Sequence, residues 1–97
     1  MNKITISILK KTGSFAENKD IARDIRVKEI IPALEKNKIV VLDFSGITGA
    51  TQSFMHALIS DTVRLFGEQV FDMLHFKNCS PVVKEVVNIV SEYMQET

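Results

Sequence analysis

A single cysteine, Cys79, leaves the 97-residue chain unable to close an internal disulfide. A lone thiol fits a reducing, cytoplasmic setting and most often packs as a small apolar residue. The two histidines and the cysteine stand far apart and show no metal-ligand spacing, so neither a metal nor a cofactor is expected. Charge of one sign is also missing. Twelve Lys and Arg balance twelve Asp and Glu, which removes the electrostatic footprint that nucleic acid or an anionic membrane surface would select. No run approaches the ~20 apolar residues of a membrane span. The opening MNKITISILKK is too short and too alternating for a secretory leader, so it is expected to remain in the mature protein. With 2 prolines and 4 glycines, the chain is neither collagen-like nor of low complexity.

What is present suits one soluble domain spanning residues 1–97. The composition, 45% apolar and 25% charged, is that of a globular protein, and a chain of this size buries roughly two-thirds of its unfolded surface. Ile4, Ile6 and Ile8 alternate with polar residues, as in an outer strand. Lys11 to Lys19 reads as a connection pinned by Phe15. From Asp20 to Lys36 the pattern is helical, but Ile21 and Ile25 point to a different side of the wheel from Val27, Ile30, Ile31 and Leu34. With Pro32 inside, this predicts a kink or a second helix.

Ile39 to Phe44 is almost wholly apolar and β-branched, the signature of a central strand covered on both faces. A helix is predicted over Phe54 to Phe66, ended by Gly67. Its apolar arc spans about half the circumference, wider than the ~100° of a surface helix. Val70 to Phe76 reads as a third strand, with His75 hydrogen-bonded. From Pro81 onward only a 3.6-residue repeat separates the valines from Lys84, Glu85, Asn88 and Glu92, with Ser80 as N-cap and Pro81 as first helical residue. The expected fold is α/β, with a mixed, mostly parallel sheet of three to four strands and helices packed on it.

Between strand and helix lies LDFSGITGATQSFMHALI, which gathers Asp43, Ser45, Thr48, Thr51 and Ser53. Its place past the carboxyl end of a central parallel strand is where α/β sheets commonly meet ligands and partners. Two readings of the hydroxyls stand side by side. In one, Thr51 or Thr48 is an N-cap and Ser53 an early helical serine. In the other, Thr51 or Ser53 is a phosphorylation site, the added charge tolerated by free amides and the helix dipole. Asp43 is expected to orient the loop by accepting hydrogen bonds from Ser45 to Thr48, and Gly46 to permit the turn. No Gly-rich phosphate fingerprint is present. Ser53, His56 and Asp61 do not make a hydrolase triad, because no nucleophile elbow or oxyanion loop accompanies them.

LDFSGITGATQSF, with FKNCSPVVKEV downstream, resembles the STAS domains of anti-sigma-factor antagonists. It resembles more closely the STAS-like family of unassigned function, through LDFSGIT, TQSFMHALI and FKNCSPVV, over Phe15 to Tyr93. The resemblance implies a small intracellular domain of a bacterium or its mobile elements that works by protein contact, paired with a histidine-kinase-like ATP-binding protein. In the antagonists the loop carries Asp-Ser-Ser-Gly, and the partner kinase phosphorylates a serine there to switch binding off. Here the run is Thr51-Gln52-Ser53-Phe54: Ser53 holds the second serine position, Thr51 replaces the aspartate and Phe54 the glycine.

The leading expectation is therefore a non-enzymatic regulatory module that contacts a protein partner through residues 45–56. Ser45, Thr48, Thr51, Gln52, Ser53, Phe54 and His56 form the contact surface. A homo-oligomer, or a subunit of a larger bacterial or phage-encoded assembly, is the rival, motivated by the wide apolar arc.

Overall fold

The apolar run IVVLD becomes β3 (Ile39–Asp43), the middle strand of a three-stranded parallel sheet between β1 (Lys3–Ser7) and β5 (Leu74–Lys77). Its composition follows from its place: Val40, Val41 and Leu42 are all buried, so both faces of the strand must be apolar. Lys3 pairs with Ile39 and Val40 with Leu74, a register that brings Ser7, Asp43 and Lys77 level at the carboxyl end. The structure, a computed structural model, describes residues 2–95; the outermost positions of the expected 1–97 span lie outside it.

β1 is an edge strand, as its alternation predicts, but it stops at Ser7, and the buried Ile8 opens the short helix α1 (Ile8–Thr12). The predicted polar connection holds a strand of its own. β2 (Phe15–Ala16) pairs in parallel with β4 (Gly49–Ala50), which lies inside the loop expected between β3 and the next helix. Asn18 caps α2 (Lys19–Ile25), its Oδ1 accepting from the Asp20 and Ile21 amides at 2.9 and 3.3 Å.

The predicted kink is a π-helical segment, Arg26–Ile30, leading into α3 (Ile31–Glu35). The Ile31 N–H reaches back five residues to the Arg26 carbonyl, and the next residue, Pro32, has no N–H to donate. This wider turn shifts the helical phase, so that Ile25, Ile30 and Leu34 all reach the core while Val27 stays exposed.

The helix expected over Phe54 to Phe66 is two helices. α4 (Gln52–Ile59) ends at Ser60, whose backbone is extended, and Asp61 adopts a left-handed φ of 67° before α5 (Thr62–Phe66) begins. Gly67, at φ 81°, ends α5 as predicted. The start of the expected third strand is instead one helical turn, α6 (Val70–Met73), and only Leu74–Lys77 is extended. His75 Nε2 lies 2.9 Å from the Asp72 carbonyl, the hydrogen-bonded ring expected there.

The last element, α7 (Pro81–Gln95), starts as read from sequence, with the Val83 amide donating to Ser80 Oγ at 3.3 Å. One core joins Ile8, Ile25 and Ile30 to Phe44, Phe54, Met55, Leu58 and Val83, within a Cα radius of gyration of 12.1 Å. Among the described residues no helix is long and apolar enough to cross a membrane.

Candidate functional site at the start of helix α4

Asp43 ends β3, and its Oδ1 accepts from the Ser45 amide at 2.9 Å and from Asn78 Nδ2 at 3.0 Å. One carboxylate thus ties the loop after β3 to the turn after β5. The Asn78 amide foremost, then the Ser45 N–H, and more weakly the Lys77 charge hold the Asp43 carboxyl below its ordinary range. Gly46 sits at φ 84°, and a Cβ there would lie 2.8 Å from Leu9 Cδ2. Of the Ser45 to Thr48 donors expected at Asp43, the Ser45 amide is the one that reaches it, the other bond coming from Asn78 and the Thr48 donors turning to Ser14. The loop is fastened on its far side too: the Thr48 N–H and Oγ1 both donate to the Ser14 carbonyl, at 2.7 and 3.1 Å, and the Thr51 N–H donates to the Ala16 carbonyl at 3.0 Å.

Thr51 is the N-cap of α4, its Oγ1 accepting from the Phe54 amide at 3.0 Å. Of the two hydroxyls weighed in sequence, Thr51 is half-buried and engaged in the cap, whereas Ser53 is exposed. Phe54, predicted on the contact surface, is instead wholly buried, because the third residue after the cap points into the core beside Met55 and Leu58. Ser45, Thr48, Gln52, Ser53 and His56 are exposed.

Gln52, Ser53 and His56 form one wall of a groove of about 620 Å³; Ala57 and Val90 lie deeper, and Ile89 and Tyr93 of α7 form the other wall. Lys19, the first residue of α2, stands at the rim. Ser45 and Thr48 lie outside this groove. The His56 and Tyr93 rings meet across it with centroids 6.0 Å apart, tilted by 43°. Beyond that ring pair a second hollow continues past Ser60, Asp61 and Arg64. The Asp61 carboxylate pairs with Arg64 at 3.1 Å.

Sequence reasoning missed the α7 wall, although Ile89 and Tyr93 stand one turn apart on a helix already recognised. It also missed Arg26, whose Nη1 donates to the Ala57 carbonyl at 2.7 Å and to Ser60 Oγ, bracing the end of α4. The wide apolar arc expected on this stretch is mostly consumed by the core, since Phe54, Met55, Leu58 and Ile59 are buried; Leu65 is the member left exposed, at 54%. Among the described residues no group of three or more His, Cys, Asp or Glu could hold a metal ion.

The family model described as a STAS-like domain of unknown function (DUF4325) matches residues 24–84. The chain belongs to this STAS-like family. The matched stretch runs from within α2 into the first turn of α7, so it contains the central strand, the fastened loop and all of α4. Phe15 to Ala16, which holds the loop, and the Ile89 and Tyr93 wall of the STAS-like chain lie outside the match. No curated protein and no solved structure matches the chain.

Proposed function

We propose that this STAS-like chain is a non-enzymatic, cytoplasmic regulatory module that binds a protein partner through residues 45–56, the partner class being a histidine-kinase-like ATP-binding protein. One observation carries the reading. Ser53, Gln52 and His56 stand exposed on the first turns of α4, beside an open groove and just past a loop fastened at Asp43 and Thr48. Such a surface is preorganised, so a partner need not order it on binding.

A phosphate on Ser53 would sit near the positive end of α4 and close to Lys19, where added negative charge is tolerated. It would also change the charge of the surface a partner touches. The test is capture of an ATP-binding protein from the host by tagged wild-type protein, with Ser53→Asp and Gln52→Ala variants alongside. Weakened capture by both supports the reading; a specific partner indifferent to both rejects this surface. Intact-mass measurement of protein from its native cell, mapped to Ser53, tests the switch itself. Turnover on an ester and phosphoester panel that vanishes in Ser53→Ala would overturn the non-enzymatic part.

A further inference from the structure

Val82, Val86, Ile89 and Tyr93 recur along α7 at intervals of four, three and four residues. At about 100° per residue these side chains fall within about 60° of arc, a single stripe along the helix. Val82, Ile89 and Tyr93 are 58%, 42% and 55% exposed. The neighbouring stripe of Val83, Val87 and Val90 is buried against the rest of the protein. α7 therefore carries two adjacent apolar stripes: one anchors it, and the other is open except at Val86, which packs partly on the core, with Ile89 and Tyr93 lining the groove beside α4. Four-three spacing is the repeat that a second helix packs against.

The borders of the open stripe carry charge. Glu85 and Glu92, exposed and seven residues apart, run along its outer edge, and among the described residues neither carboxylate has an ion pair or hydrogen bond. Lys19 and His56 stand on the opposite rim. A second copy paired antiparallel through α7 is a poor occupant. Antiparallel pairing of two α7 helices about a two-fold axis brings Glu85 of one copy toward Glu92 of the other, a like-charge contact. A helix with a basic edge meets both carboxylates favourably.

We propose that the groove between α4 and α7, extended along the α7 stripe, receives an amphipathic helix of a partner protein that carries Lys or Arg along the edge lying over Glu85 and Glu92. This deepens the proposed function and rests on its claim that the chain binds a protein at the start of α4.

The test uses two labelled synthetic helices, each about 14 residues or four turns long. Both carry the same four-three leucine pattern, one edged with Lys and the other with Glu. By fluorescence anisotropy the full chain should bind the Lys-edged peptide about tenfold more tightly, because two rim pairs change from opposite to like charge. Glu85→Lys combined with Glu92→Lys should invert the preference. Ile89→Asp, at an exposed position, should abolish binding of both peptides while circular dichroism and the melting temperature stay unchanged. Equal affinities, a preference that survives the charge reversal, or binding untouched by Ile89→Asp would each overturn the proposal. So would self-association in sedimentation that Ile89→Asp dissolves, since the stripe would then belong to a second copy. If Ser53→Asp loses the native partner while neither peptide binds, protein binding at α4 stands and the basic helix falls. If the peptides behave as expected while Ser53→Asp captures its partner normally, the α7 stripe is the docking surface and the Ser53 switch falls.

Discussion

Replacing Arg26 by methionine keeps much of the aliphatic stem and deletes the guanidinium that closes the end of α4. There the chain turns away at Ser60 and Asp61, so the last carbonyls of the helix lose their intrahelical partners. Arg26 Nη1 supplies a donor to the Ala57 carbonyl at 2.7 Å and another to Ser60 Oγ, from a π-helical segment some thirty positions away in the chain. A hydrogen bond from a charged group contributes about 1.5–3 kcal/mol, and the bond to the Ser60 hydroxyl adds to it. Against this, Arg26 Nε is buried without a partner, and methionine has no such group to leave unsatisfied, which returns ~1 kcal/mol or more. The net loss should be about 2 kcal/mol, or roughly 8–16 °C in melting temperature for a domain of this size. Urea denaturation measures it, and hydrogen exchange should show the Ser60 amide, bonded to the His56 carbonyl at 2.8 Å, opening sooner. Ser60→Ala should cost less, about 0.5–1.5 kcal/mol, because the Ala57 bond survives. If Arg26→Met costs under about 0.5 kcal/mol, or no more than Ser60→Ala, the guanidinium does not hold this helix end.

Two further outcomes follow from the site's geometry. Phe54→Ala should destabilise the protein by about 3–5 kcal/mol in urea unfolding, whereas Phe54→Leu should keep most of the stability and leave partner capture intact; loss of capture by a folded Phe54→Leu variant would return the ring to the contact surface. The Asp43 carboxyl is held below its unfolded value of about 3.9, so its contribution is full above that value and is lost as pH falls through the folded one. In acid titrations monitored by circular dichroism, Asp43→Asn should therefore show a shallower loss of stability below about pH 4 than the wild type, and identical acid limbs would count against the Asn78 and Ser45 bonds.

The legible parts of the fold were those where neighbours in sequence decide the outcome. Ile39 to Asp43 is apolar on both faces because it is covered on both. Ser80-Pro81 announces α7 through local capping, and Gly67 stops α5 through its own φ. The parts that escaped depend on distant residues. Nothing near Ser60 and Asp61 breaks a helix outright, since the break is supported by Arg26 from another element. β2 and β4 are two residues each, too short for any period to show, and exist through pairing with each other. Val70 to Met73 has strand-like composition, yet Gly67, Glu68 and Gln69 supply the carbonyls of a tight turn to it. At the site, Asp43, Gly46 and the Thr51 cap were readable as loop chemistry. Phe54 belonged to the predicted apolar arc and to the predicted contact surface at once, and packing resolved the conflict in favour of the core. The α7 wall was hidden because Ile89 and Tyr93 merge in sequence with the buried valines beside them, and an apolar stripe reads the same whether it faces inward or outward.

Both sheets of this protein are parallel throughout, and that has a kinetic price. Lys3 must find Ile39, Val40 must find Leu74, and Phe15 must find Gly49, with a whole crossover threaded in between each time. With no hairpin among the described residues, no ribbon can zip up from a nearby bend, and ring-closure entropy is met before any strand contact rewards it. Helical turns should therefore assemble early after dilution from denaturant, with the ribbons docking last, on the millisecond-to-second scale rather than in microseconds.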